Sequence, residues 1–211
     1  MYWISCERVA NCRARVDAGR QLAATLLVAS LACLALTPRS AAAVAEDHDP
    51  VLREKLEAAL QEPLAFKDRF EAQVWLTDMA GRLARKVPDP GERLEILTTV
   101  HREAAGVGLP PEMILAVIDV ESGFQRYAVS RSNAQGLMQI MRFWLAELDM
   151  PGYALLDVRE NVRMGCTILR HYYDLENGNW TRALARYNGS LGSREYPDLV
   201  FERLRTRWFQ Q

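Results

Sequence analysis

The feature that most restricts this chain is its spacing of apolar residues. From Asp49 to the C-terminus they recur at intervals of three and four, and two-residue alternation is nearly absent. That periodicity belongs to helices packed by one face, so the sequence implies a mainly α fold. Val51, Leu52, Leu56, Ala59 and Leu60 keep this spacing. So does the run from Phe66, Phe70 and Val74 through Leu83, and Pro63 separates the two helices.

The sharpest break is Val87-Pro88-Asp89-Pro90-Gly91, where two prolines and a glycine in five residues cannot continue a helix. It divides an N-terminal helical extension and linker, residues 46–90, from a main domain, residues 91–211. In that domain Glu92 to Ala105 reads as a helix with Leu94, Ile96, Leu97 and Val100 as its apolar positions, stopped by Gly106-Val107-Gly108. Pro110-Pro111 then starts a helix, with Glu112 near its positive end. Further helices are expected over Gly136–Leu148, Val158–Leu175, Trp180–Tyr187 and Pro197–Trp208.

Residues 1–45 have a different composition. Four arginines precede the apolar stretch Leu22 to Leu36, which is followed by Thr37-Pro38-Arg39-Ser40 and the small-residue run Ala41 to Ala45. This is the order of a secretory signal peptide, with cleavage expected after Ala43 or Ala45. The apolar stretch is shorter than the roughly 20 residues a membrane span requires, so no stable span is expected after processing. The long basic region leaves room for a start downstream of Met1.

Cleavage would remove Cys6, Cys12 and Cys33 and leave Cys166 alone, which excludes an intramolecular disulfide and is read as a small buried residue. Removing five Lys/Arg and two Asp/Glu from totals of 26 and 27 leaves a net charge of about −4. That balance argues against binding nucleic acid through its phosphates. His48, His101 and His171 are scattered, so no metal site emerges and no cofactor is called for. Gly106 and Gly108 follow no strand, which disfavours a dinucleotide site. Gly189-Ser190-Leu191-Gly192 lacks the spacing of a hydrolase nucleophile turn.

The chemistry concentrates in Ile114 to Met141. Ile114, Val117 and Glu121 share one face of the helix from Pro111, whereas Asp119 lies almost opposite. A carboxyl withdrawn from water keeps its proton to higher pH and can act as a general acid. On this helix alone, a Glu that turns to solvent or pairs with an arginine is the more ordinary reading, since many helices end in a solvated Glu. Ser122-Gly123 ends the helix, a polar loop runs to Gln135, and Gly136-Leu137-Met138-Gln139-Ile140-Met141 follows. Gln139 is either a core amide held by backbone groups or a ligand contact facing a groove.

Glu121 to Phe124, Ala128 and Ser130, and Ala134 with Gly136 to Gln139 together resemble the signature of the SLT-type lytic transglycosylases, enzymes that cleave bacterial peptidoglycan on a lysozyme-like fold. Glu160 to Gly165 is similar to the family's Asn-x-x-x-Gly helix, where Gly165 would permit close packing, and Ala183 to Gly189 to its Ala-Tyr-Asn motif. The resemblance covers roughly Leu94 to Tyr196. Asn133 stands where the family usually has Gly, which implies a positive φ that Asn tolerates. Arg131, Arg186 and Arg142-Phe143-Trp144 are further departures, and they bear on subsite preference.

The resemblance implies a reaction with one carboxyl group. Glu121 would protonate the oxygen between N-acetylmuramic acid and N-acetylglucosamine, then take the proton from the muramic acid's 6-hydroxyl to close a 1,6-anhydro ring. Tyr187 would hydrogen-bond or orient Glu121, Ser130 and Gln139 would contact the sugar, and Met138 with Tyr187 would shape the groove. Each has a plainer alternative: a core tyrosine, a capping serine, a core amide. Trp144, Trp180, Tyr172 and Tyr173 are read as core.

The expected partner is the peptidoglycan glycan strand, in the periplasm of a Gram-negative bacterium, with any cell-wall or secretion-machinery partner unspecified. Two alternatives stand: a hydrolase like goose-type lysozymes, which calls for a second carboxylate, and a non-catalytic exported glycan-binding protein. Asp149 falls in a loop, and Asp157 and Glu160 read as residues of a helix start.

Overall fold

The computed structural model describes residues 69–209 and Glu54, with side chains in the first helix described from Val74 onward. The expected signal peptide, the break at Pro63 and the helix before it lie outside the described residues.

Helix α1, Arg69–Leu83, buries Trp75, Met79 and Leu83 at four-residue spacing and leaves Val74 exposed. The break at Val87–Gly91 is real, but Val87 itself is buried in the same core. Helix α2, Pro90–Gly106, begins where Asp89 accepts a hydrogen bond from the Glu92 amide at 2.7 Å, with Pro90 in the first turn. It buries Ile96, Leu97, Val100 and Ala104, whereas Leu94, expected as an apolar position, is exposed. Four aligned residues are enough for the stripe, and Leu94 falls off it.

Helix α3, Pro111–Glu121, is the buried centre of the molecule. Residues 113 to 119 are all buried, Asp119 included, so the helix is covered on every side. It packs against α2, against α7 (Glu195–Arg203), and against the π-helical turn Leu204–Trp208 that continues α7. Helix α5, Val158–Leu175, is capped by Asp157, which accepts from the Glu160 amide at 3.0 Å, and it lies against α2 and α6 (Trp180–Tyr187). One apolar core runs through all of these, from Trp75 to Trp208. Truncating any of its fully buried leucines or isoleucines to alanine is expected to cost about 2–5 kcal/mol.

The main departure from the sequence reading is the expected helix Gly136–Leu148. Instead, Ala134–Gln135 (β1) and Ile140–Met141 (β2) form a small antiparallel ladder with Gln135 opposite Ile140. Residues 136–139 form the turn between them, and only Phe143–Glu147 (α4) is helical, followed by a 3₁₀ turn at Ala154–Leu156. Gly136 at φ 80° and Gln139 at φ 51° both lie in the left-handed region, which a right-handed helix cannot include. Asn161 takes the polar groups that a helix would have used. Its Oδ1 accepts from the Met138 amide at 2.7 Å, and its Nδ2 donates to the carbonyls of Gln135 at 2.8 Å and Leu155 at 2.9 Å.

Candidate active site

Glu121 is the last residue of α3, and the turn after it decides where its carboxyl goes. The amides of Ser122 and Gly123 both return to the Ile118 carbonyl, at 3.0 and 3.1 Å, and Gly123 adopts φ 59°. This is a left-handed helix stop, which glycine enters without steric cost. Phe124 follows at φ 72°, unusual for a bulky residue, with its ring buried against Trp208 at 5.3 Å. Ser122 ties the turn to the floor of the site: its Oγ donates to the Leu137 carbonyl at 2.8 Å and accepts from the Phe124 amide at 3.2 Å.

The carboxyl of Glu121 is partly buried and has one described hydrogen-bond partner. The Tyr196 hydroxyl donates to its Oε1 at 2.6 Å. Burial raises its pKa to about 7, with the Tyr196 bond opposing that rise. Desolvation dominates because the one partner is a neutral donor and no cation contributes to the shift. Tyr196 is 2% exposed, and burial, reinforced by the charge of Glu121, holds its phenol well above its ordinary range, so it stays a donor.

Tyr187, to which the family resemblance gave the role of orienting Glu121, does something else with its hydroxyl. It donates to the Met138 carbonyl at 2.8 Å. Its ring is still close enough for the Glu121 charge to raise its pKa, after burial as the larger cause. The two hydroxyls divide the contacts: Tyr196 bonds the Glu121 carboxyl, and Tyr187 bonds the Met138 carbonyl. Tyr196 lies in the first turn of α7, beyond the three quoted motifs, and no motif marks it. A tyrosine with a following proline at the start of a terminal helix was its only local sign.

The other expected sugar contacts fall into two groups. Ser130 is partly exposed, and its Oγ accepts from the Ala134 amide at 3.0 Å while the two residues also share a backbone bond. Gln139 is 7% exposed, and its Nε2 donates to the carbonyls of Ala128 at 3.2 Å and Gly136 at 3.0 Å. The amide therefore braces the loop that carries Ser130. Met138 is fully buried. A Cβ on Gly165 would lie 2.3 Å from its sulfur, which accounts for glycine in α5 at the close approach anticipated there. A Cβ on Gly136 would come within 2.2 Å of the Leu155 carbonyl oxygen, so that position needs glycine for space as well as for φ. Asn161, the Asn of the Asn-x-x-x-Gly motif, has no contact of its own in that reading, and in the structure it is the hub of this floor.

The remaining carboxylates sit elsewhere. Asp119 is buried on the opposite side of α3, as its helical position implied, and is held by Lys86, Arg207 and Trp208. Asp157 caps α5, and Asp149 is exposed at φ 50°. Arg186, a departure from the family pattern, pairs with Glu176 alongside Arg182. Asn133 adopts φ 63°, the conformation expected of it. Cys166 is buried and forms no disulfide among the described residues. Among the described residues no group of His, Cys, Asp or Glu is arranged to hold a metal. No described helix is long and apolar enough to cross a membrane.

Comparison with known proteins places this site in a family. Residues 99–197 match the family described as the Transglycosylase SLT domain. Membrane-bound lytic murein transglycosylase C of Yersinia pestis (strain Pestoides F) is 33% identical over 113 residues, covering 46% of this chain and 32% of the relative. The protein of the same name from Yersinia pseudotuberculosis serotype O:1b (strain IP 31758) matches to the same extent. The chain thus spans about a third of the length of the curated relatives it matches. An X-ray structure of an inactive mutant of lytic transglycosylase Slt from Pseudomonas aeruginosa is 23% identical, covers 74% of this chain and 34% of that one, and superposes with a TM-score of 0.43, too slight a likeness to carry argument. The Glu-Ser-Gly turn lies inside the matched segment, so residues 99–197, on a mainly helical fold, are similar to the SLT-type lytic transglycosylase family.

Proposed function

We propose that this protein is a peptidoglycan lytic transglycosylase that cleaves the β-1,4 bond between N-acetylmuramic acid and N-acetylglucosamine and releases 1,6-anhydromuramyl products, with Glu121 as its single acid and base. The observation that carries this reading is the state of Glu121. Its pKa of about 7 lets it hold a proton near neutral pH and give it up within the same cycle.

The sequence of events follows from that one group. Protonated Glu121 donates to the glycosidic oxygen as the bond breaks. The resulting carboxylate, steadied by the Tyr196 hydroxyl, accepts the proton of the muramic acid's own 6-hydroxyl as that oxygen attacks C1. An internal nucleophile needs no positioned water and carries the advantage of proximity. It also needs no second carboxylate, whereas a hydrolase ordinarily uses two. The places of Asp119, Asp157 and Asp149 favour the one-carboxylate reading.

The substrate is the glycan strand, bound over the loop that carries Ser130 and against the floor formed by Met138, Gln139 and Tyr187. The domain reading goes with it: residues 1–45 as a signal peptide cleaved after Ala43 or Ala45, 46–90 as an extension, 91–211 as the catalytic domain. The matched Yersinia proteins are named as membrane-bound, which fits a place in the cell envelope, and here the periplasm is proposed. The test is mass spectrometry of soluble products after the purified protein is incubated with peptidoglycan, beside Glu121→Gln. Products one water lighter than reducing muropeptides, absent with the variant, are expected. Reducing ends would assign a hydrolase, and no product would assign a binding role.

A further inference from the structure

Behind the site, the same segment that supplies Tyr196 takes hold of α3 a second time. Helix α7 continues without a break into the turn Leu204–Trp208. Arg207 Nη1 donates to both oxygens of Asp119, at 3.0 and 3.2 Å, and Trp208 Nε1 donates to Oδ2 at 3.1 Å. Lys86 Nζ, from the link after α1, reaches Oδ1 at 2.7 Å. The Asp119 side chain is 1% exposed. Arg82 on α1, itself paired with Asp78, donates to the carbonyls of Arg207 at 3.0 Å and Phe209 at 2.9 Å.

Trp208 touches two residues on either side of the acid: its N–H bonds Asp119, two positions before Glu121, and its ring packs on Phe124, three positions after. Phe124 holds a positive φ, a conformation that a bulky residue keeps only where its surroundings enforce it. The Phe124 ring is buried, with the Trp208 ring at 5.3 Å and Lys86 Nζ at 5.9 Å from its centroid, and these contacts supply that enforcement. The turn that ends α3, and through Ser122 the floor at Leu137, is thereby held from behind.

We propose that Glu195–Trp208 is a clamp that aims the acid, gripping α3 in front through Tyr196 and Glu121 and behind through Arg207, Trp208 and Asp119, with Lys86 and Arg82 of the extension keeping it closed. Asp119, Arg207 and Trp208 are positioning residues in this assignment, which rests on the reading of Glu121 as the catalytic acid. It gives the extension a task in catalysis: without Lys86 and Arg82, the rear grip loses two of its cationic ties.

The experiment uses the full chain and measures kcat and KM for peptidoglycan solubilisation together with Tm. The variants are Asp119→Asn, Arg207→Met and Arg207→Lys, each alone and combined with Tyr196→Phe. The clamp predicts that Arg207→Met lowers kcat about tenfold with KM unchanged, that Arg207→Lys recovers most of the loss, and that neither Arg207→Met nor Asp119→Asn adds to the defect of Tyr196→Phe. Should Asp119→Asn fail to fold, Arg207→Met carries the test, since its side chain is 43% exposed. The proposal is overturned if Tm falls while kcat holds, if only KM moves, or if the losses multiply with that of Tyr196→Phe. Glu121→Gln separates the two levels: turnover that survives it removes the functional reading, whereas turnover that needs Glu121 but ignores Arg207 removes the clamp alone.

Discussion

Two carboxylates two residues apart on α3 have opposite surroundings. Asp119, at the back, is enclosed by two cations and an indole N–H. Glu121, at the front, has a phenol and no paired cation. Burial alone does not decide what a carboxyl can do. A buried carboxylate paired with cations is a structural tie, and one met only by a neutral donor has its proton held to near-neutral pH and becomes a reagent. The helix supplies both from one turn because its period sends positions two apart to opposite sides.

The strongest way to break this contrast is to remove the front carboxyl. Glu121→Gln is expected to lower turnover by at least about a thousandfold, since the proposed reaction draws its proton from this one carboxyl. It also has a signed effect on stability. The folded pKa of Glu121 is raised from 4.5 to about 7, so the wild type is most favoured below pH 4.5 and loses that advantage as the pH rises through 7. Glutamine does not ionise, so the stability of the variant relative to wild type should grow between pH 5 and 8, by about 3 kcal/mol at most. Denaturation at the two pH values checks it, and a constant difference would mean that Glu121 is ionised in the fold throughout.

Removing the rear carboxyl should weigh more on stability, beside the roughly tenfold fall in kcat that the clamp implies. Asp119→Ala removes the buried anion that Lys86, Arg207 and the Trp208 N–H share; both cations are partly exposed and can turn to water, so the loss is about 1.5–3 kcal/mol, that of hydrogen bonds to a charged group. A fall in Tm is expected, and a loss of stability below about 1 kcal/mol would show that the rear ties add little to the fold. The contrast in the two losses, at least about a thousandfold in rate at the front and a fall in stability with the clamp's roughly tenfold fall in kcat at the rear, is the measurable form of the difference between the two sides.

How much of this the sequence contained depends on whether the cause is local. The helices α2, α3, α5 and α6 were legible from spacing, caps and Pro/Gly breaks. Glu121 was legible because it continues the apolar face of α3. The turn at 136–139 was not, since Gly136-Leu137-Met138-Gln139 has the same apolar content in a turn as in a helix, and the amide that reorganises it is Asn161, 23 residues away from Met138. The cations on Asp119 come from positions 33 residues before it and 88 after it, so nothing near it in sequence marks it as a tie. Tyr196 escaped for the same reason: its meaning lies in a contact 75 residues distant.

The front of the site can be sharpened through its donor. Tyr196→Phe removes the bond that lowers the Glu121 pKa, so that pKa should rise further. Activity that requires the protonated acid falls above about pH 7 in the wild type, and in this variant the fall should move to higher pH, with turnover at pH 6 down by about tenfold because the carboxylate formed in the cycle is less well held. A pH profile of kcat/KM checks it, and a limb that stays in place would mean that Tyr196 does not act on the ionisation of Glu121.

The smallest expected effect is the most discriminating. Tyr187→Phe removes a hydroxyl that donates to the Met138 carbonyl and makes no described bond to Glu121. Losing one such bond should cost about 1 kcal/mol of stability. Since the ring stays, the pH limb should remain where the wild type has it, in contrast to Tyr196→Phe. Motif position had pointed to Tyr187 as the partner of the acid, and the two tyrosines offer the same group to the same region, so activity alone at one pH would not tell them apart. The limb does, because only a group bonded to the carboxyl changes the balance between its two protonation states. If the limb moves in Tyr187→Phe and stays in Tyr196→Phe, the phenols exchange partners in the working enzyme, and the hydrogen bond from Tyr196 belongs to the resting site alone.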